Sequence, residues 1–154
     1  MEVNIQGPLL GQSSSSEPIL RSLPDWFGIE EALQQYVREI DALPTFIALT
    51  GDSAAGFLSL KQHSPFAAEL YVMGVLPAYH RRGLGRRLVE ASERFLRQEG
   101  VEFFQVKTLS PSHPDEGYAR TRLFYQALGF RPLEEFPTLW GEANPCLMMV
   151  KYLG

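Results

Sequence analysis

Cysteine is nearly absent from this 154-residue chain, which has only Cys146. One thiol excludes an internal disulfide and a thiolate-rich metal cluster. Its setting in the apolar run Cys146-Leu-Met-Met-Val150 makes it a buried structural thiol rather than a nucleophile. Long hydrophobic runs are missing as well, since none reaches the roughly 20 residues that cross a bilayer. No basic stretch followed by an apolar one opens the chain, so a cytoplasmic protein without a membrane partner is expected. Positive charge is also in short supply: 14 Lys and Arg against 18 Asp and Glu give a net charge of -4. That balance argues against a nucleic-acid partner, whose binding domains are usually basic. The three histidines show no metal-ligand spacing, and no metal is expected.

What is present is enough apolar material, 45% of residues, for one globular domain over residues 1–154. The scarce positive charge is concentrated. Eleven of the 14 basic residues are arginine, and Arg81, Arg82, Arg86 and Arg87 stand together. They lie in Val75-Leu-Pro-Ala-Tyr-His-Arg-Arg-Gly-Leu-Gly-Arg-Arg-Leu88, just after an apolar run that reads as a buried strand. Pro77 ends the strand because it has no N–H for a sheet ladder. Gly83 and Gly85 open a helix whose stripe is Leu84, Leu88, Ala91 and Phe95, at a 3.6-residue period. A strand, a glycine turn and a helix N-terminus form an anion site, where free amides and the helix dipole favour phosphate. The neighbouring arginines suit a pyrophosphate.

The spacing is neither a P-loop nor G-x-G-x-x-G. It resembles the acyl-CoA motif of the GNAT family of N-acetyltransferases, [RQ]-x-x-G-x-[GA] after a V-x-P strand end. Val75, Pro77, Gly83 and Gly85 match, and His80 replaces the usual Arg or Gln. Downstream, Tyr118-Ala-Arg-Thr-Arg-Leu-Phe-Tyr-Gln-Ala-Leu-Gly-Phe130 resembles the family's N-x-x-A-x-x-[LF]-Y-x-x-x-G-F segment, with Tyr118 and Thr121 as departures.

The resemblance implies an acetyl-CoA-dependent N-acetyltransferase that moves acetyl directly to a primary amine, here of a small molecule, acting as a monomer or homodimer. The alternatives are acetylation of a protein N-terminus or lysine, and a non-catalytic acyl-CoA-binding sensor. It implies that Val75, Arg81, Arg82, Gly83, Leu84, Gly85 and Arg86 bind the cofactor and that Tyr125 is the general acid. Glu69, six residues before Val75, stands where the base lies in one branch of the family. It is expected to share a strand face with Tyr71, Met73 and Val75. His63, His80 and His113 are alternatives as the base. Trp26, Phe27 and Trp140 are candidate acceptor walls, and Asp115, Glu116 and Glu142 are candidate attractors of a cationic amine.

Periodicity along the chain gives the order β-α-β-β-β-α-β-α-β-β, an α/β fold with a mixed central sheet flanked by helices. Residues 7–18, rich in Gly, Pro and Ser, read as a partly mobile loop. The resemblance adds a splay between the fourth and fifth strands, at Val72–Val75 and Phe104–Thr108.

Overall fold

The apolar runs marked as strands all enter one sheet. The computed structural model describes residues 2–154. Strand β1 (Asn4–Leu9) is followed by helices α1 (Ser13–Arg21), α2 (Pro24–Phe27) and α3 (Glu30–Ile40). An antiparallel meander comes next: β2 (Thr45–Thr50), β3 (Ser53–Gln62) and β4 (Ala67–Val75). A 3₁₀ turn (Pro77–Tyr79) leads to α4 (Leu84–Gln98), and then β5 (Phe103–Leu109), α5 (Glu116–Ala127), β6 (Arg131–Phe136) and β7 (Cys146–Tyr152) complete the chain. The sheet order is β1-β2-β3-β4-β5-β7-β6, with β4 and β5 parallel and every other pair antiparallel.

Two apolar layers cover the sheet. On one face, Leu84, Leu88 and Leu96 of α4 pack with Leu58, Leu70 and Val106 of the strands, together with Tyr125 and Leu128. On the other, Ile19 and Leu20 of α1 and Leu33 and Ile40 of α3 meet Ile47, Phe57 and Val72. Burying such stripes stabilises by about 25 cal/mol per Å². Glu93, buried on α4, is tied to Lys151 Nζ of β7 at 2.8 Å, fixing the helix on the sheet. No described helix is long and apolar enough to cross a membrane.

Residues 7–18 are not a loop. β1 runs to Leu9, and Ser13 already begins α1, in which Ser16, Ile19 and Leu20 are buried. Four serines are poor helix formers, and the compensation comes from far along the chain. Asp41, at the end of α3, accepts the Ser13 N–H at 2.9 Å on its side chain and the Gly11 N–H at 3.1 Å on its carbonyl. Such a cap satisfies amides that have no acceptor within the helix.

β4 carries a bulge: Leu70 faces Leu60 and Val72 faces Ser59, so Tyr71 is an extra residue. An inserted residue reverses the side-chain alternation. Met73 and Val75 therefore pack on the α4 face, whereas Val72 joins the α1/α3 face. Glu69, opposite Leu70, lies on the α1/α3 side and not in register with Met73 and Val75. The same region parts from β5. The β4–β5 pairing runs from Ala67↔Phe103 to Leu70↔Val106, and the strands separate beyond it. Val72–Val75 flank the opening as expected, but Phe104 is still paired, to Ala68. On β5 the opening is flanked by Lys107–Leu109.

Candidate active site

The turn after β4 is shaped by backbone conformation. Gly83 has φ 78° and Arg81 φ 63°, both left-handed. Two such residues close together turn successive N–H groups toward one side. The first helical acceptor in use at the start of α4 is the Gly83 carbonyl, which takes the Arg87 N–H at 3.0 Å. The amides of Leu84, Gly85 and Arg86 precede that bond and remain for a ligand. A Cβ built on Gly83 would touch nothing, so glycine is required there by its φ and not by crowding. Gly85 has another reason: a Cβ would come within 3.1 Å of Phe124 Cζ. Its absent side chain lets α4 approach α5, rather than making space for a phosphate.

From this turn a cavity of about 1100 Å³ runs through the opening between β4 and β5 to the opposite face. Val75, Arg81, Gly83, Leu84, Gly85 and Arg86 all line it. Arg82 does not; its guanidinium stands 5.7 Å from the Tyr79 ring centroid, a cation–π distance. His80 turns back on the strand, its Nε2 donating to the Val75 carbonyl at 2.7 Å. It braces the turn where an Arg or Gln was expected.

Tyr125 stands on the cavity wall, 6% exposed, between the rings of Phe124 and Phe130. Burial pushes its hydroxyl pKa well above the ordinary phenol value, so it keeps its proton throughout the working range. A hydroxyl of this kind is in its protonated form at neutral pH and is not a base there. Thr108, on the same side of β5 as Val106, also lines the cavity. Its Oγ1 is buried without a hydrogen-bond partner. An orphaned buried hydroxyl is costly unless something else satisfies it, and a ligand in the cavity would. The free amides, the glycine turn and this hydroxyl fit a phosphate-tailed acyl carrier.

On the other side, Glu69 is 4% exposed and far from isolated. Its Oε1 accepts from His63 Nε2 at 2.7 Å and from Lys107 Nζ at 3.0 Å. Glu69, His63 and Lys107 form a three-residue polar cluster. Around it stand Phe27, Tyr36 and Tyr71, in edge-to-face contact at 5.8 and 5.5 Å between ring centres. Trp26 and Trp140 line the cavity too, as expected. Trp26 is fixed by the two residues of α5 that depart from the motif. Its Nε1 donates to Thr121 Oγ1 at 3.3 Å, and Tyr118 Oη donates to its carbonyl at 3.4 Å.

Asp115, Glu116, Glu142 and His113 do not line the cavity. Asp115 instead caps α5, accepting the Tyr118 N–H at 3.0 Å. Sequence reasoning missed Lys107, His63 as the partner of Glu69, Thr108, Tyr36 and Tyr71. None carries a local signal, because the opening between two strands brings them together. Cys146 is fully buried and its thiol is pushed up to about 11 by desolvation, which leaves it unreactive at neutral pH.

A family model, "Acetyltransferase (GNAT) family", matches residues 17–130. The chain belongs to the GNAT family. Solved GNAT-family structures share its fold over nearly the whole length. A putative acetyltransferase of the family from Desulfovibrio desulfuricans superposes with a TM-score of 0.86 at 18% identity, over 99% of this chain and 100% of that one. PaiA N-acetyltransferase from Thermoplasma acidophilum, in complex with coenzyme A, gives 0.76 at 17% identity, covering 99% of each. Among curated proteins, mycothiol acetyltransferase of Corynebacterium glutamicum is 44% identical over 51 residues. That match takes in 33% of this GNAT chain and 18% of the relative, so the chain spans less than a fifth of its length.

Proposed function

We propose that the protein is an acetyltransferase moving acetyl from acetyl-CoA directly to the primary amine of a small molecule. The observation that carries this is one cavity joining the Gly83 turn to the Glu69–Tyr36 side through the β4–β5 opening, with Tyr125 on its wall. The pyrophosphate sits on the amides of Leu84, Gly85 and Arg86, with Arg81 and Arg86 adding charge. The pantetheine arm follows the opening past Thr108. The amine enters from the Trp26 and Trp140 side.

Attack forms a C–N bond and breaks the C–S bond. Tyr125 Oη gives its proton to the departing sulfur, and Glu69 takes the amine proton directly or through water. Holding both reactants in one cavity supplies much of the acceleration, so loss of either residue slows the reaction without ending it. Family membership and the coenzyme A complex of PaiA support the choice of donor.

The test is CoA-thiol release over an amine panel, with mass spectrometry of the products. Equimolar thiol and N-acetyl amine are expected. Acetyl-CoA binding with no release on any amine or peptide would leave a sensor in place of an enzyme. Release only with a peptide N-terminus or lysine would move the acceptor to protein.

A further inference from the structure

Charge on the acceptor side is sparse. Glu69 is the only carboxylate among the described cavity-lining residues, while Lys107 and Arg120 bring positive charge. Both partners of Glu69 occupy the same oxygen, Oε1. Among the described residues, Oε2 has no hydrogen-bond partner. The site therefore offers one carboxylate oxygen to an incoming N–H group, and the second acid close by, Glu39, is not a lining residue and already accepts from Tyr71. Most of the remaining wall is aromatic or apolar, with Trp26, Phe27, Tyr36 and Tyr71 inside and Leu139 and Trp140 at the edge, 55% and 42% exposed, and its other polar groups, Gln35 and Thr121, are neutral. Tyr71 is itself committed, its Oη donating to Glu39 and its ring lying 5.0 Å from Lys61 Nζ.

Resting on the acetyltransferase reading, we propose that the acceptor is a monoamine on an aromatic body, an arylalkylamine, and that Lys107 excludes polycations. A polyamine or a polyamino sugar would place its further ammonium groups near Lys107 and Arg120, with no second carboxylate among the described lining residues to replace lost water. An aryl group gains the edge-to-face contacts that Phe27, Tyr36 and Tyr71 already make with one another. Lys107 is the specificity-determining residue, because its ammonium occupies the carboxylate that a second cation would need.

The experiment compares kcat/KM for 2-phenylethylamine, spermidine, kanamycin and an alanine-headed peptide, using acetyl-CoA and the full chain. Phenylethylamine is expected to exceed each of the others by about tenfold or more, equivalent to about 1.4 kcal/mol. Release that favours spermidine, kanamycin or the peptide overturns this inference and leaves acetyl transfer standing. Absence of release from every amine overturns both. Lys107→Met is expected to shift the phenylethylamine-to-spermidine ratio toward spermidine by severalfold, and Lys107→Arg is expected to keep the parent ratio. An acetyl-CoA-induced thermal shift reports that each variant is folded. Equal ratios in folded Met and Arg variants refute the role of Lys107. If the Met variant does not fold, the parent panel still decides the acceptor class.

Discussion

On the proposed reading, the donor half of the cavity draws most of its binding groups from one uninterrupted stretch, Val75 to Arg86, chiefly as main-chain amides, and adds Thr108 from β5. The acceptor half draws side chains from α2, α3, α5, β4, β5 and the segment before β7. Amides are supplied by any sequence that takes the right path, so the donor half needs only a proline, two glycines and a helix start. The acceptor half depends on which side chains a bulge, a strand opening and three helices bring together. A main-chain site is written locally and a side-chain site is written in the tertiary structure.

Variants at the junction and within each half sharpen this contrast. Tyr125, where the halves meet, carries the largest expected effect. Tyr125→Phe should lower kcat by about 10²-fold while leaving acetyl-CoA affinity intact. An unchanged kcat would remove the hydroxyl from the reaction. The pH profile checks the same residue. Burial raises its pKa, so the donor stays protonated as pH rises, and kcat should hold level through about pH 10, where an ordinary phenol ionises. A fall centred on pH 10 would contradict this.

Within the donor half, Gly85→Val should destabilise the fold by about 1–3 kcal/mol, because its side chain presses on Phe124. Thermal melting without ligand measures it, and an unaltered melting temperature would mean that α4 and α5 have room to spare. In the acceptor half, Trp26→Phe removes the bond to Thr121, worth about 1 kcal/mol. The acceptor KM should rise about fivefold with the Kd for acetyl-CoA unchanged; a change in Kd alone would reverse the assignment of the halves. Smallest is Thr108→Val, which deletes an orphaned hydroxyl. The free protein should melt slightly higher, by up to about 1 kcal/mol of stability, and acetyl-CoA should stabilise it less than the parent. A variant that melts lower and gains as much from ligand would show that the hydroxyl has no ligand to meet.

Much of the fold was legible. The strand count and the two last strands follow the expected order, the apolar run from Cys146 lies in β7, and the stripe Leu84, Leu88 and Ala91 is buried. α1 was not legible, because its stability comes from Asp41, which lies 28 residues from the Ser13 N–H it accepts. The strand face of Glu69 relative to Val75 was misread because the bulge at Tyr71 leaves no mark in composition. Gly85 was legible as part of the glycine turn, but its packing against Phe124 was not, since Phe124 sits on a helix far along the chain. The aromatic and charged residues around Glu69 share no spacing, and only the strand opening assembles them.

Calorimetric titration of acetyl-CoA into the parent and Gly83→Val is the most direct test of the glycine turn as the phosphate site. The substitution meets no neighbour, so it acts through the left-handed backbone that the amides require. A Kd weakened by about tenfold or more, from about 1–3 kcal/mol of strain, is expected with the acceptor KM unchanged. Equal affinity in the two proteins would place the phosphates elsewhere.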